Sequence, residues 1–142
     1  MEGITFFPIG LGHRDEKLSS SGWQLYTLHS IHQMMRVQYG VGAVIDYLKI
    51  DIEHTEWLVL PQILESGMLN LVRQLAVEIH IKSDSTLEDQ RHFAGILQQL
   101  ERQGGMVRFD SKYNPWSRAY FNELEALAPM SYEIAWYNSH FL

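Results

Sequence analysis

"DYLKIDIEHTEW", Asp46–Trp57, places four carboxylates within twelve residues around a strand-like apolar run. Extended upstream it becomes "AVIDYLKIDI", Ala43–Ile52, a continuous apolar stretch interrupted by two aspartates and a lysine. A run of this kind reads as a buried strand. Past Glu53 the periodicity turns helical through "EWLVLPQILESG". Pro61 removes a backbone hydrogen bond from a helix interior, so a kink or two short helices are expected there, with Gly67 as a C-cap. Asp51 and Glu53 therefore stand where a strand hands over to a helix.

The neighbouring segments repeat that alternation. Upstream, "ITFFPIGLG", Ile4–Gly12, is a β-branched and aromatic strand closing on a turn, and "HRDEKLSSSG" is a polar loop. "TLHSIHQMMRVQYG" carries Leu28, Ile31, Met34 and Met35 at helical spacing and stops at Gly40. Downstream, "QLAVEIHI", Gln74–Ile81, is a second buried strand. "SDSTLEDQRHFAGILQQLERQGG" is a helix opened by a Ser85–Glu88 capping box and closed by Gly104–Gly105. "MVRFDSKYNPW" and "MSYEIAWYNS" are two late strands joined by "SRAYFNELEALAP". The order predicts an α/β domain whose sheet is mostly parallel and covered on both faces, with an antiparallel hairpin at one edge. Ligands of such sheets gather at the carboxyl ends of the strands, where Asp51, Glu53, Glu78 and His80 fall.

Composition narrows the function. The 142 residues are one domain's worth, 46% hydrophobic, with 11 Lys and Arg against 17 Asp and Glu. A net charge of −6 argues against nucleic acid, whose phosphates need clustered cations. No segment approaches the roughly 20 apolar residues of a membrane span. "MEGITFFPIG" has neither a basic region nor a cleavage-like site and is not read as a signal peptide, which leaves the compartment open. Absence of cysteine excludes disulfides, thiolate metal sites and cysteine nucleophiles.

"IDYLKIDIEHTEW" resembles the "iDyLKiDiEGaEw" signature of the FkbM-type methyltransferases, a branch of the class I S-adenosylmethionine-dependent enzymes. "LAVEIHI" resembles the next strand of that group, and "GGMVRFDSKYNPW" with "SYEIAWYN" its last two, while "FFPIGLGHRDEKLS" resembles the strand and loop before the signature. The resemblance covers nearly all of residues 1–142 and implies an incomplete Rossmann-like methyltransferase sheet. It implies O-methylation of a small molecule, sugar or lipid, with S-adenosylmethionine as the family's cofactor. None of the ten glycines forms a G-x-G-x-x-G turn between a strand and a helix. The chain accordingly reads as the C-terminal part of such a domain and is not expected to bind cofactor alone. In the implied strand order, 3-2-1-4-5-7-6, loss of strands 1 and 2 would strand residues 4–11 and leave Ala43–Ile52 with an open edge. Such an edge invites self-association or pairing with a partner. A non-catalytic, partner-binding fragment is therefore the alternative.

Four residues are candidates for catalysis. Asp51 and Glu53 share a side of the strand and face an acceptor, the methyl group or a divalent metal, or else they cap the following helix. The family's glycine after this glutamate is His54 here, which puts a side chain where the backbone could be approached closely. Glu78 and His80 would join them as general base or metal ligand, or His80 is a strand-end histidine bonded to a loop carbonyl. Asp46 and Lys49 read as a strand entry and a buried or snorkelling lysine paired with an acid. His29, His32 and Arg36 share one helix flank and read as a solvated face, so no metal ligands are assigned. The aromatics of "KYNPWSRAYF" read as core, with a substrate lid as the other possibility.

Overall fold

Residues 3–142 are described by a computed structural model. Among them, nine strands and three α-helices make a mixed α/β fold with three open sheets. β1 (Gly10–Leu11), β2 (Glu16–Lys17) and β3 (Gln24–Tyr26) form the first, with β3 in the middle, parallel to β1 and antiparallel to β2. The strand expected over Ile4–Gly12 shrinks to two residues, and Ile4 and Phe6 are exposed. It has found partners, but in β3 and not in the main sheet. The segment read as a polar loop holds β2.

α1 (Leu28–Tyr39) is capped by Thr27, whose hydroxyl accepts from the Ser30 amide, and ends at Gly40 with φ 90°. Asp15 fastens this start to the small sheet: it accepts from the Thr27 amide at 2.8 Å and from the Ser30 hydroxyl at 2.6 Å. Those bonds, the Ser30 one foremost, hold the Asp15 carboxyl below the usual carboxylate range. Because the folded value is depressed, the contact stabilises fully above the unfolded carboxylate's pKa. Its contribution is lost as pH falls through the folded value.

The main sheet contains β4 (Ile45–Ile50), β5 (Val72–His80), β6 (Met106–Tyr113) and β9 (Ser131–Asn138) in the order β4-β5-β9-β6. β4 pairs in parallel with β5, whereas β9 is antiparallel to both β5 and β6. The sheet is thus mixed in its pairings: β4, β5 and β6 run one way and β9 runs against them, with the antiparallel pair at one edge as expected. β7 (Arg118–Phe121) and β8 (Ala126–Pro129) make a separate hairpin inside the segment read as a connection. Glu125, at φ 48°, helps to turn it.

α2 (Glu56–Glu65) and α3 (Leu87–Arg102) pack on one face only. There Ile50, Leu75, Val77, Ile79, Ile134 and Trp136 meet Trp57, Leu60, Ile63, Ile96 and Leu100 in one buried core. Trp57 stacks on Phe93 with ring centroids 4.2 Å apart. Alternation along the strands turns Tyr47, Lys49, Gln74 and Glu133 to the opposite face, and all four are exposed. Covering of both faces is therefore corrected: the second face lies open. β4 pairs only with β5 among the described residues, so its other edge is open too, and of its six residues only Ile50 is buried.

Two local expectations shift as well. α2 is a single helix with Pro61 inside it. Burial of Trp57, Leu60 and Ile63 outweighs the roughly 3 kcal/mol that an interior proline costs. The capping box of α3 is Thr86 with Asp89, one residue later than Ser85 with Glu88. "STLED" contains both frames, and the second is the one that closes. No helix among the described residues is long and apolar enough to cross a membrane.

Candidate functional site

Parallel pairing of β4 with β5 brings their carboxyl ends side by side, with Ile50 opposite Val77. Asp51 and Glu53 follow directly from β4, and Glu78 and His80 close β5. All four meet around one imidazole. His80 Nε2 lies 3.7 Å from Glu53 Oε2, 3.8 Å from Glu78 Oε1 and 4.0 Å from Asp51 Oδ1. Its other nitrogen, Nδ1, is 3.1 Å from Glu56 Oε1. Trp57 donates its indole N–H to the His80 carbonyl at 2.7 Å, which fixes the backbone beneath the ring. The partner of His80 is thus a carboxylate and not the loop carbonyl of the bland alternative.

Glu56 is the residue that sequence reasoning left without a role. It is the first residue of α2 and is wholly buried. Its Oε1 also accepts from the Ile52 amide at 3.0 Å, while Oε2 has no partner. Spacing carries a faint signal: a carboxylate four residues after Ile52 can reach back across the strand-to-helix turn. Helix capping explains Asp51 and Glu53 less well. Thr55 occupies the cap position of α2 without a side-chain bond, and the one carboxylate that returns to the turn's backbone is Glu56.

The turn itself is strained. Glu53 has φ 51° and His54 φ 77°, both in the left-handed region that β-carbons disfavour. The His54 ring meets that of His80 edge-on at 5.5 Å. His54→Gly is expected to raise stability by about 1 kcal/mol, the relieved backbone strain less the flexibility gained when unfolded. A thermal melt showing Tm about 3 °C higher would register it; an unchanged or lower Tm would mean that the histidine contact outweighs the strain.

Exposure grades across the cluster. The His80 side chain is 11% exposed and Glu78 16%, against 45% for Asp51 and 78% for Glu53. Beside them opens a cleft of about 490 Å³, lined in part by Glu53, His54, His80, Lys82, Ser117 and Met130. A buried carboxylate behind one ring nitrogen, with the other nitrogen toward a polar cleft, orients an imidazole to take a proton from a bound hydroxyl. Asp51, Glu53 and His80 also satisfy the spacing of a cation-ligand set, their donor atoms lying within 4.8 Å of one another.

Other candidates stay apart from this cluster. Asp46 pairs with Arg73 at 3.1 Å on the surface, and Lys49 is exposed on the open face, neither buried nor paired with an acid. His32 Nε2 is 2.7 Å from the Ala43 carbonyl and His29 lies beside Gln33, so the two histidines do not converge. The "KYNPWSRAYF" aromatics are corrected from core to surface: Tyr113, Trp116 and Tyr120 are exposed, and only Phe121 is buried. Neither a protein-family model nor a curated protein matches the chain.

Proposed function

We propose that this chain is the acceptor-binding side of an S-adenosylmethionine-dependent O-methyltransferase of the FkbM-like, class I type. The observation that carries this reading is the convergence of Asp51, Glu53, Glu78 and His80 at the carboxyl ends of a parallel strand pair, with Glu56 behind the imidazole. Strand order supports it: β4-β5-β9-β6 corresponds to the 4-5-7-6 half of the Rossmann-like sheet that the resemblance implies. Among the described residues β4 has an unpaired edge beside the open face, which agrees with a sheet whose strands 1 and 2 and their helices are missing.

The cofactor itself does not fit the described residues. Of the two G-x-G sequences, Gly40–Gly42 follows α1 and precedes β4, while Gly10–Gly12 leads into β2 instead of a helix, and a β-carbon on Gly10 would meet Leu25 at 2.5 Å. Gly10 and Gly12 serve strand packing, so no step is assigned to a methyl donor here. On this chain the chemistry is acceptor handling. Asp51 and Glu53 accept hydrogen bonds from an acceptor's hydroxyls, and His80 Nε2 takes the proton from the oxygen to be alkylated. Glu56 then faces the imidazolium that forms. Acceptors rich in hydroxyls, such as sugars, match a cleft that offers the carboxylates of Glu53 and Asp84 beside Lys82, Ser83 and Ser117.

Amide spectra recorded while sugars and other small polyols are added test the acceptor role. Shifts confined to residues 51–56 and 78–82 are the expected result, and no response to any hydroxyl acceptor would reject it. Calorimetry with S-adenosylhomocysteine is expected to show no binding into the millimolar range, whereas micromolar binding would reject the division of labour. A second reading, a non-catalytic module that docks through its sheet, is favoured by the open β4 edge. Broadening confined to Ile45–Ile50 as protein concentration rises, with residues 51–56 unmoved by polyols, would favour it over the first.

A further inference from the structure

We propose that a divalent transition cation of the manganese or zinc class binds between Asp51, Glu53 and His80. This rests on side-chain geometry and charge and not on the acceptor reading; because one Nε2 lone pair serves either the cation or the acceptor's proton, His80 is a base only while the cation is absent.

Distances come first. The oxygens of Glu53, Glu78 and Asp51 lie 3.7, 3.8 and 4.0 Å from His80 Nε2, too long for hydrogen bonds to it. Donors that share a cation at about 2.0–2.2 Å stand about 3.0–4.4 Å from one another, a range that the distances to Nε2 meet, and the donor atoms of Asp51, Glu53 and His80 all lie within 4.8 Å of one another. Glu53, the most exposed member, can close the remaining few tenths of an ångström by rotation, since its side chain has no other hydrogen bond or ion pair among the described residues.

Orientation of the ring is the second, separate argument. Ligating histidines characteristically give their other N–H to a carboxylate, which sets the tautomer and turns the lone pair to the metal. Glu56 does this from a fully buried position, 3.1 Å from Nδ1. With the proton held there, the Nε2 lone pair has carboxylate oxygens 3.7–4.0 Å away and no hydrogen-bond donor among the described residues, acceptors against an acceptor. Glu56 Oε2, buried and without a partner, adds negative charge that no donor offsets.

Charge is the third. Four carboxylates, Asp51, Glu53, Glu56 and Glu78, surround one imidazole, and among the described residues no lysine or arginine lies within 4.0 Å of any of them. Carboxylate oxygens crowded this closely repel one another. A divalent cation relieves that repulsion, and most strongly around the half-buried Glu78 and His80. One nitrogen with two or three carboxylate oxygens favours manganese or zinc over calcium and magnesium, which take oxygen sets.

Calorimetry of the tag-free chain with MnCl2, ZnCl2, MgCl2 and CaCl2, without cofactor or acceptor, tests this. One manganese or zinc ion per chain is expected, bound at least 10-fold tighter than magnesium or calcium. Asp51→Asn and Glu53→Gln are expected to weaken it at least 10-fold with the melting temperature unchanged, since both side chains are substantially exposed. His29→Ala, at an exposed histidine outside the cluster, is expected to bind as the parent does. Paramagnetic broadening by manganese should be centred on residues 51–56 and 78–80. Absence of saturable binding below millimolar, a preference for calcium or magnesium, or affinity that survives both carboxylate substitutions overturns the proposal.

Discussion

Trp136→Ala is expected to destabilise the domain by about 3–5 kcal/mol, the range for truncating a large buried aromatic. Trp136 is fully buried at the middle of β9, opposite Leu75 on one side and Arg108 on the other. Its indole N–H donates to Glu101 Oε1 at 3.0 Å, and the Arg108 guanidinium lies 5.8 Å from the ring and 2.7 Å from that same oxygen. The polar part of this triangle is the smaller one. A net hydrogen bond contributes about 1 kcal/mol, and Glu101 keeps its arginine when the indole is gone. What dominates is the cavity left between α3 and the sheet. Trp136→Phe, which retains most of the volume, should cost only about 1–2 kcal/mol. Urea unfolding with an unchanged m-value separates the two. A loss below about 1 kcal/mol for the alanine variant would mean that α3 does not pack on this face, and the description of the core would fail with it.

The parts of this fold that were legible are those whose burial and periodicity agree. α3 was readable from Phe93, Ile96, Leu97 and Leu100 at helical spacing, and β5 from a run in which Leu75, Val77 and Ile79 sink into the core. β2 and β3 were not, because strands of two and three residues carry too little pattern to show a period. The β7–β8 hairpin hid in "NELEAL", whose composition favours helix, until the turn at Asn122–Glu125 reversed it. β4 misled in another way. Its apolar composition implied two covered faces, yet Tyr47 and Lys49 are exposed on an open one; its place at the edge among the described residues is the one expected for Ala43–Ile52. Asp51, Glu53, Glu78 and His80 were found together because parallel strands present their carboxyl ends at one place. Glu56 escaped because an acid in the first turn of a helix is already explained by the helix dipole. Only the fold shows that its side chain points back to Ile52 and His80.

That overlooked residue should give the second large effect, and two substitutions separate its structural part from its electrostatic one. Glu56→Ala is expected to cost about 2–4 kcal/mol, because two donors, the Ile52 amide and His80 Nδ1, lose their acceptor where water has little access. The Ile52 bond spans the two left-handed residues Glu53 and His54, so its loss also loosens the turn from which Glu53 projects. Glu56→Gln is a different case. Its amide oxygen can accept both bonds, and removing a buried charge relieves the desolvation of an oxygen that has no partner. Its amide NH2, placed where Oε2 was, loses water without gaining an acceptor. These effects oppose each other, so stability is expected to stay within about 1 kcal/mol of the parent. Affinity for manganese should nevertheless fall about 10- to 100-fold, the usual cost of losing the carboxylate behind a ligating histidine. Chemical denaturation and calorimetry on the same two variants read the two quantities independently. If Glu56→Gln binds the cation as the parent does, the carboxylate only braces the turn. If Glu56→Ala is as stable as the parent, the hydrogen bonds drawn to Glu56 are not holding the strand-to-helix junction.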